Sequence, residues 1–92
     1  MLPNFGKAGI FMKECKVKLS SIADVKEFTS LANSRTFELD LVSGKYTVDA
    51  KSIMGIFSLD LTKTLTLVLH GNDEECKDFL DDAEKFITDV QN

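Results

Sequence analysis

The sequence is poor in the residues that build metal sites, disulfide frameworks and membrane spans. It contains no tryptophan, one proline, one histidine (His70) and two cysteines, Cys15 and Cys76, which lie far apart in the chain. Zinc sites use closely spaced cysteines and histidines, and small secreted domains use many disulfides, so both classes are excluded and we expect no metal. No uncharged stretch approaches the about 20 apolar residues that a membrane-spanning helix needs, and we expect no membrane partner.

The 92 residues, 43% hydrophobic and 28% charged, have the composition of one globular domain. The net charge is −4, and residues 73–92 carry eight acids and only two lysines. The basic residues are scattered, so we expect no nucleic-acid partner. Both cysteines fall at apolar-facing positions of the pattern described below, which predicts reduced core thiols of an intracellular protein. The alternative is a Cys15–Cys76 disulfide.

Residues 1–11 show no periodicity, and we expect a poorly ordered tail there, followed by one domain over residues 12–92. Alternating apolar residues predict a first strand over 13–19. Ser21 and Asp24 then form the pattern of a capping box, and apolar residues at helical spacing predict a first helix behind it.

Two further strands are predicted over 37–41 and 45–50, on either side of the pair Ser43-Gly44, which favours a tight hairpin turn. The apolar run that follows is short. Ser52 at its start is a good helix cap, which predicts a short helix over about 52–58.

A fourth strand is predicted over 62–70, and three consecutive acids from Asp73 suit the N-terminus of a last helix. The apolar positions of this helix form the clearest helical pattern in the chain: Cys76, Phe79, Leu80, Ala83, Phe86, Ile87 and Val90. The order β-α-β-β-α-β-α, with one apolar face on every element, predicts an α+β fold. Its four-stranded antiparallel sheet would carry the three helices on one face.

One segment resembles a known family. The residues Asp-Ala-Lys-Ser-Ile-Met-Gly-Ile-Phe-Ser-Leu at 49–59 are similar to the regulatory-serine segment of HPr, the phosphocarrier of the bacterial phosphoenolpyruvate:sugar phosphotransferase system. In that family Lys-Ser-Ile-Met-Gly follows a hairpin and opens a short helix, as the pattern predicts here. The resemblance implies an HPr-like open-faced β-sandwich over nearly the whole patterned chain.

The other signature of that family is missing. Carriers have Gly-(Ile/Leu)-His-Ala-Arg-Pro between the first strand and the first helix, and the histidine accepts phosphate from enzyme I. Residues 19–25 read Leu-Ser-Ser-Ile-Ala-Asp-Val, so the histidine would fall near Ser20 or Ser21. A serine phosphate ester is far less reactive in transfer than a phosphohistidine. The resemblance therefore implies a divergent member without phosphohistidine transfer, without enzyme activity and without a cofactor.

Ser52 is the expected phosphorylation site. In the HPr family the matching serine is phosphorylated by an HPr kinase, and the modified protein docks onto a transcriptional regulator. A phosphate at a helix N-terminus would also meet free amides and the positive end of the helix dipole. The structural alternative is that Ser52 only caps the helix.

Three apolar residues of the short helix, Ile53, Met54 and Phe57, are the expected partner-docking residues. Within so short a helix they cannot all point inward, and their equivalents in the family form a partly exposed patch. The alternative is packing against the fourth strand and the last helix. Gly55 would allow close approach either of a partner or of another element of the fold.

The remaining polar residues have simpler interpretations. We expect a solvated face on the acidic last helix, an exposed strand-end position for His70, and no acid–base role for Glu38 and Asp40. The sequence thus predicts a cytoplasmic, monomeric HPr-like protein that binds an HPr kinase, a transcriptional regulator or phosphotransferase-system components. One alternative is a working phosphocarrier with another acceptor, such as Asp24. Another is an unrelated binding module that shares only the fold.

Overall fold

The computed structural model describes residues 13–91, and the predicted poorly ordered tail over residues 1–11 lies outside them. The strands are β1 (Lys13–Val17), β2 (Glu38–Ser43), β3 (Tyr46–Asp49), β4 (Leu65–His70) and β5 (Ile87–Gln91). The helices are α1 (Ile22–Asn33), α2 (Ile53–Phe57) and α3 (Asp73–Asp82). None of the helices in the described part is long and apolar enough to cross a membrane.

The strands form one antiparallel sheet in the order β3-β2-β4-β1-β5. Side chains alternate along a strand, so the apolar residues collect on one face: Leu67 of β4 lies opposite Cys15 of β1 and Leu41 of β2. The helices cover this face, and each adds a fully buried side chain to the core: Phe28 from α1, Ile56 from α2 and Phe79 from α3. The predicted α+β class, with three helices on one side of an antiparallel sheet, is confirmed.

The end of the chain differs from the prediction. The last helix, predicted to extend through Val90, stops at Asp82, and the chain continues through a 3-10 turn (Glu84–Phe86) into β5, which pairs with β1. The last turn of α3 contains two aspartates and no basic residue. Carboxylates are unfavourable there because the C-terminus is the negative end of the helix dipole. The β-branched residues that follow favour a strand. The sheet therefore has five strands rather than four.

Phe86, which continues the apolar spacing beyond the end of α3, is still part of the core. Phe86 is 3% exposed, and the Phe28 ring meets Phe79 and Phe86 edge-to-face, with centroids 5.8 and 5.7 Å apart. The carbonyl of Phe86 also accepts a hydrogen bond from Lys18 N at 2.9 Å. The pattern thus predicted the burial of Phe86 correctly, although the backbone there is not α-helical.

Both cysteines lie in the core, as predicted. Cys15 and Cys76 are free and essentially inaccessible to solvent. Burial raises the pKa of the Cys15 thiol to about 11 and also raises the pKa of Cys76, because a thiolate is poorly solvated in an apolar interior. Both side chains are therefore neutral thiols at physiological pH.

Candidate functional site

Ser52 directly precedes and caps the short helix α2, as predicted. Its backbone is extended (φ −103°, ψ 110°), and its Oγ accepts a hydrogen bond from Gly55 N at 3.1 Å. The hydroxyl thus satisfies an amide that has no partner inside the helix, which is the role of an N-cap. Ser52 remains partly exposed to solvent.

The backbone around Ser52 is held by two neighbouring elements. At the end of β3, the Asp49 carbonyl accepts a hydrogen bond from Ser52 N at 2.9 Å, and the Asp49 carboxylate accepts one from Lys51 N at 2.8 Å. Beside the end of α1, Asn33 Nδ2 donates to the Lys51 carbonyl and Lys51 Nζ donates to the Arg35 carbonyl, both at 2.9 Å. The position of Ser52 is therefore fixed from both sides.

The side chains of α2 separate into a buried and an exposed set. Ile56 is fully buried, and Ile53 is partly buried against the core. Met54 is 75% exposed and Phe57 is 40% exposed, although both are large and apolar. Of the three predicted docking residues, two face solvent and Ile53 lies at the boundary of the core.

Gly55 lies where α2 packs against β3. A Cβ atom on Gly55 would be 3.2 Å from Ser52 Oγ and 3.3 Å from Val48 Cβ, closer than ordinary van der Waals contact. Of the two explanations that the sequence left open, the structure supports close approach of another element of the fold.

The start of α1 is the place where the resemblance puts the histidine of the carriers. Ser21 Oγ caps the helix by accepting a hydrogen bond from Asp24 N at 3.1 Å. Asp24 Oδ2 accepts one from Ser20 N at 3.0 Å, so the predicted capping box forms with its return bond one residue earlier than expected. Ile22, beside it, is 63% exposed. A carboxylate of the chain itself therefore already sits at this helix end, where negative charge is favourable.

His70 lies at the opposite end of the sheet from the start of α1. β4 begins at Leu65, opposite Val17 at the end of β1, and His70 ends β4 about 17 Å further along the strand. His70 is exposed, as predicted, and its Nε2 is 2.9 Å from Asp40 Oδ2 on β2. Glu38 is the residue directly opposite His70. The contact with Asp40 was not predicted, because it depends on the register of β2 and β4.

Arg35 is a charged residue that sequence reasoning missed. It pairs with two acids of α3, Asp78 at 3.5 Å and Asp82, and its guanidinium lies 5.4 Å from the centre of the Phe79 ring. Arg35 sits between two elements, and no sequence spacing links it to α3. Within residues 13–91, no group of three or more histidine, cysteine or acidic side chains could hold a metal ion.

A cleft of about 400 Å³ lies at the C-terminal end of α2, between the β2–β3 turn and the loop from α2 to β4. We call it the hairpin cleft. Its lining residues are Ser43, Gly44, Lys45, Tyr46, Ser58, Leu59, Asp60 and Lys63. Gly44 has a φ of 60°, which confirms the predicted tight turn. Tyr46 is 70% exposed, and sequence reasoning gave it no role beyond its strand.

Comparison with solved structures relates the fold to HPr proteins. The chain is similar to HPr-C-His from Thermoanaerobacter tengcongensis, with 26% identity and a TM-score of 0.64 over 79% of this chain and 92% of that one. It is also similar to the phosphocarrier protein HPr from Bacillus anthracis, with 25% identity and a TM-score of 0.62 over 84% of this chain and 98% of that one. No protein-family model and no curated protein sequence matches. The chain therefore has the HPr-like fold that the segment at 49–59 implied.

Proposed function

We propose that this protein is an HPr-like regulatory module, related to the bacterial sugar phosphotransferase system, that binds protein partners through α2 and is controlled by phosphate on Ser52. The observation that carries this proposal is the exposure of Met54 and Phe57 on a helix that Ser52 caps. The module performs no catalytic step, uses no cofactor and acts as a cytoplasmic monomer.

The exposure of Met54 and Phe57 supports binding rather than packing. Ile56 is the fully buried side chain of α2, so the helix is anchored to the core without the other two. Apolar patches on small monomers are typical of interfaces, and the flexible methionine side chain adapts to partners of different shape. Ile53 extends the patch to the edge of the core.

Phosphate on Ser52 would act directly on this patch. Ser52 is partly exposed and lies two positions before Met54. Phosphorylation adds about 1.5 to 2 negative charges and three strong acceptor oxygens. The surface beside Met54 would gain negative charge, which selects between partners by charge. An HPr kinase would add the phosphate, and a transcriptional regulator or a phosphotransferase-system component would dock.

The start of α1 supports the loss of phosphohistidine transfer. Ser20 and Ser21 occupy the region of the carrier histidine, and Asp24 Oδ2 is already engaged by Ser20 N. His70 lies about 17 Å along β4 from Leu65, the end of the strand nearer to α1, and it contacts Asp40. A phosphoryl group bound there would be presented from the other end of the sheet.

Incubation of the full chain with an HPr kinase and ATP tests the switch. We expect one phosphate per chain, located on Ser52 by peptide mass spectrometry, and none on Ser52→Ala. The matched control is Ser58→Ala at the other end of α2, which should be modified like the wild type. A wild-type chain that gains no phosphate, while HPr in the same mixture does, would contradict the proposal.

Incubation with enzyme I and phosphoenolpyruvate tests the loss of carrier activity. We expect no acid-labile phosphate on the chain. A labile phosphate on Asp24 or His70 that passes to a sugar permease component would instead identify a phosphocarrier with another acceptor.

A further inference from the structure

The hairpin cleft continues the exposed surface of α2. Ser58 lines the cleft and directly follows Phe57, the last residue of α2. Tyr46 and Val48 point to the same face of β3 because side chains alternate along a strand. Val48 faces α2 at Gly55, so Tyr46 stands on the helix side of the sheet and borders the cleft. The aromatic and cationic lining of the cleft thus begins one residue after Phe57, at the end of the helix that carries the apolar patch.

The charge of the cleft is positive although the whole chain carries a net charge of −4. Lys45 and Lys63 are exposed, and neither forms an ion pair with any side chain in residues 13–88. Asp60 is the acidic residue of the lining, and one of its carboxylate oxygens accepts hydrogen bonds from both the hydroxyl and the amide of Thr62. These bonds, together with the charges of Lys63 and Lys18, hold the pKa of Asp60 below its usual value.

Asp60 does not cancel the positive charge of the cleft. Lys18 Nζ donates to the carbonyl of Leu61 at 2.9 Å, which brings an additional cation to the same loop. Together, Lys18, Lys45 and Lys63 outnumber the one carboxylate of the lining, so the cleft keeps a positive charge for an incoming anionic group.

We propose that the hairpin cleft binds carboxylate side chains of the same partner protein that covers Met54 and Phe57. This inference rests on the function proposed above and specifies the partner: a surface segment with large apolar side chains followed by acidic residues. The apolar side chains cover α2, and the carboxylates lie between Lys45 and Lys63 with Tyr46 at their side. A partner with lysines in place of these carboxylates would be repelled by Lys45 and Lys63.

A pair of synthetic peptides tests the charge requirement on the full chain. Both contain one leucine and one phenylalanine, followed by three glutamates in the first peptide and three glutamines in the second. Each is titrated into the isotope-labelled protein while amide chemical shifts are recorded. We expect the glutamate peptide to shift the amides of Lys45 and Lys63 and to bind about fivefold more tightly than the glutamine peptide at low salt.

Two double variants locate the effect. Lys45→Gln with Lys63→Gln should remove the preference for the glutamate peptide. Lys77→Gln with Lys85→Gln makes the same change in net charge beside the acidic helix α3 and should keep the preference within about twofold.

The two proposals have separate readouts in this titration. Shifts at Met54 and Phe57 report docking on α2, whereas shifts at Lys45 and Lys63 report the cleft. Equal binding of the two peptides, or a preference that survives in the cleft double variant, would overturn the cleft proposal even if the α2 amides shift. Shifts in the cleft alone would support the cleft and overturn docking on α2.

Discussion

The helices α2 and α3 cover the same face of one sheet but distribute their apolar side chains in opposite ways. α3 has ten residues and buries Cys76 and Phe79 completely, with charged residues outward. α2 has five residues, buries Ile56 and exposes Met54 and Phe57. The longer helix thus stabilises the fold, whereas the shorter one presents apolar surface that the fold does not use.

The two helices also differ in their electrostatic surroundings. Exposed acids cover α3, including Asp73, Asp78 and Asp81. The cleft beyond α2 carries the exposed lysines Lys45 and Lys63 instead. A partner with an acidic surface would be repelled by α3 and steered towards α2. An anionic protein could therefore bind at the cleft although the chain has a net negative charge.

The largest expected effect compares two phenylalanines, one on each helix. Phe79→Ala should lower the free energy of unfolding by about 3–5 kcal/mol, because Phe79 is fully buried and the change leaves a cavity. Phe57→Ala removes the same ring from a side chain that is 40% exposed and should cost less than about 1 kcal/mol. Urea denaturation of both variants measures the difference. Equal losses would show that α2 stabilises the fold as much as α3 does.

A smaller effect concerns the attachment of α3 to the rest of the chain through Arg35. Arg35→Ala should lower the free energy of unfolding by about 1–2 kcal/mol, because the side chain, 17% exposed, packs over Phe79 and pairs with Asp82. The control is Lys77→Ala, which removes an exposed pair with Asp81 and should cost less than about 0.5 kcal/mol. A loss for Arg35→Ala no larger than that of the control would mean that these contacts do not hold α3 in place.

The next effect, of similar size, concerns the N-cap of α2. Ser52→Ala should lower the free energy of unfolding by about 1 kcal/mol, because Gly55 N loses its hydrogen-bond acceptor. Ser52→Asp supplies another good capping side chain and should lose less than half of that. Thermal and urea denaturation of both variants test this. Identical losses would indicate that capping is not what Ser52 contributes to the fold.

The inward and outward pattern of the sheet could be predicted from the sequence because it is local. Leu39 and Leu41 alternate with polar residues and face the core, and Ser52 caps a helix where its residue type and position predict one. The end of the chain was predicted wrongly, because Phe86 and Ile87 continue the helical spacing of α3. The acidic last turn and the β-branched residues after it were the opposing signals, and they favoured the strand that fills the edge of β1.

The parts of the site that the sequence did not predict depend on contacts between distant segments. Lys45 and Lys63 line one cleft although a strand, a helix and a loop separate them. The contact of Arg35 with α3 likewise exists only once both elements are packed. No periodicity or spacing connects such residues, whereas the three α2 residues could be grouped because one short helix carries them.

The smallest effect on stability, and the sharpest test of the contrast between the helices, is expected at Met54. Met54→Ser should change the free energy of unfolding by less than about 0.5 kcal/mol, because the side chain is 75% exposed and packs little against the core. The same change should weaken binding of the glutamate peptide severalfold in the chemical-shift titration, since a polar side chain replaces the most exposed apolar residue of α2. Ile56→Ala on the same helix is the converse control, with an expected loss of about 2–5 kcal/mol of stability from a fully buried position. If Met54→Ser bound the peptide as tightly as the wild type, α2 would not be part of the interface, and its exposed apolar side chains would have no role in binding.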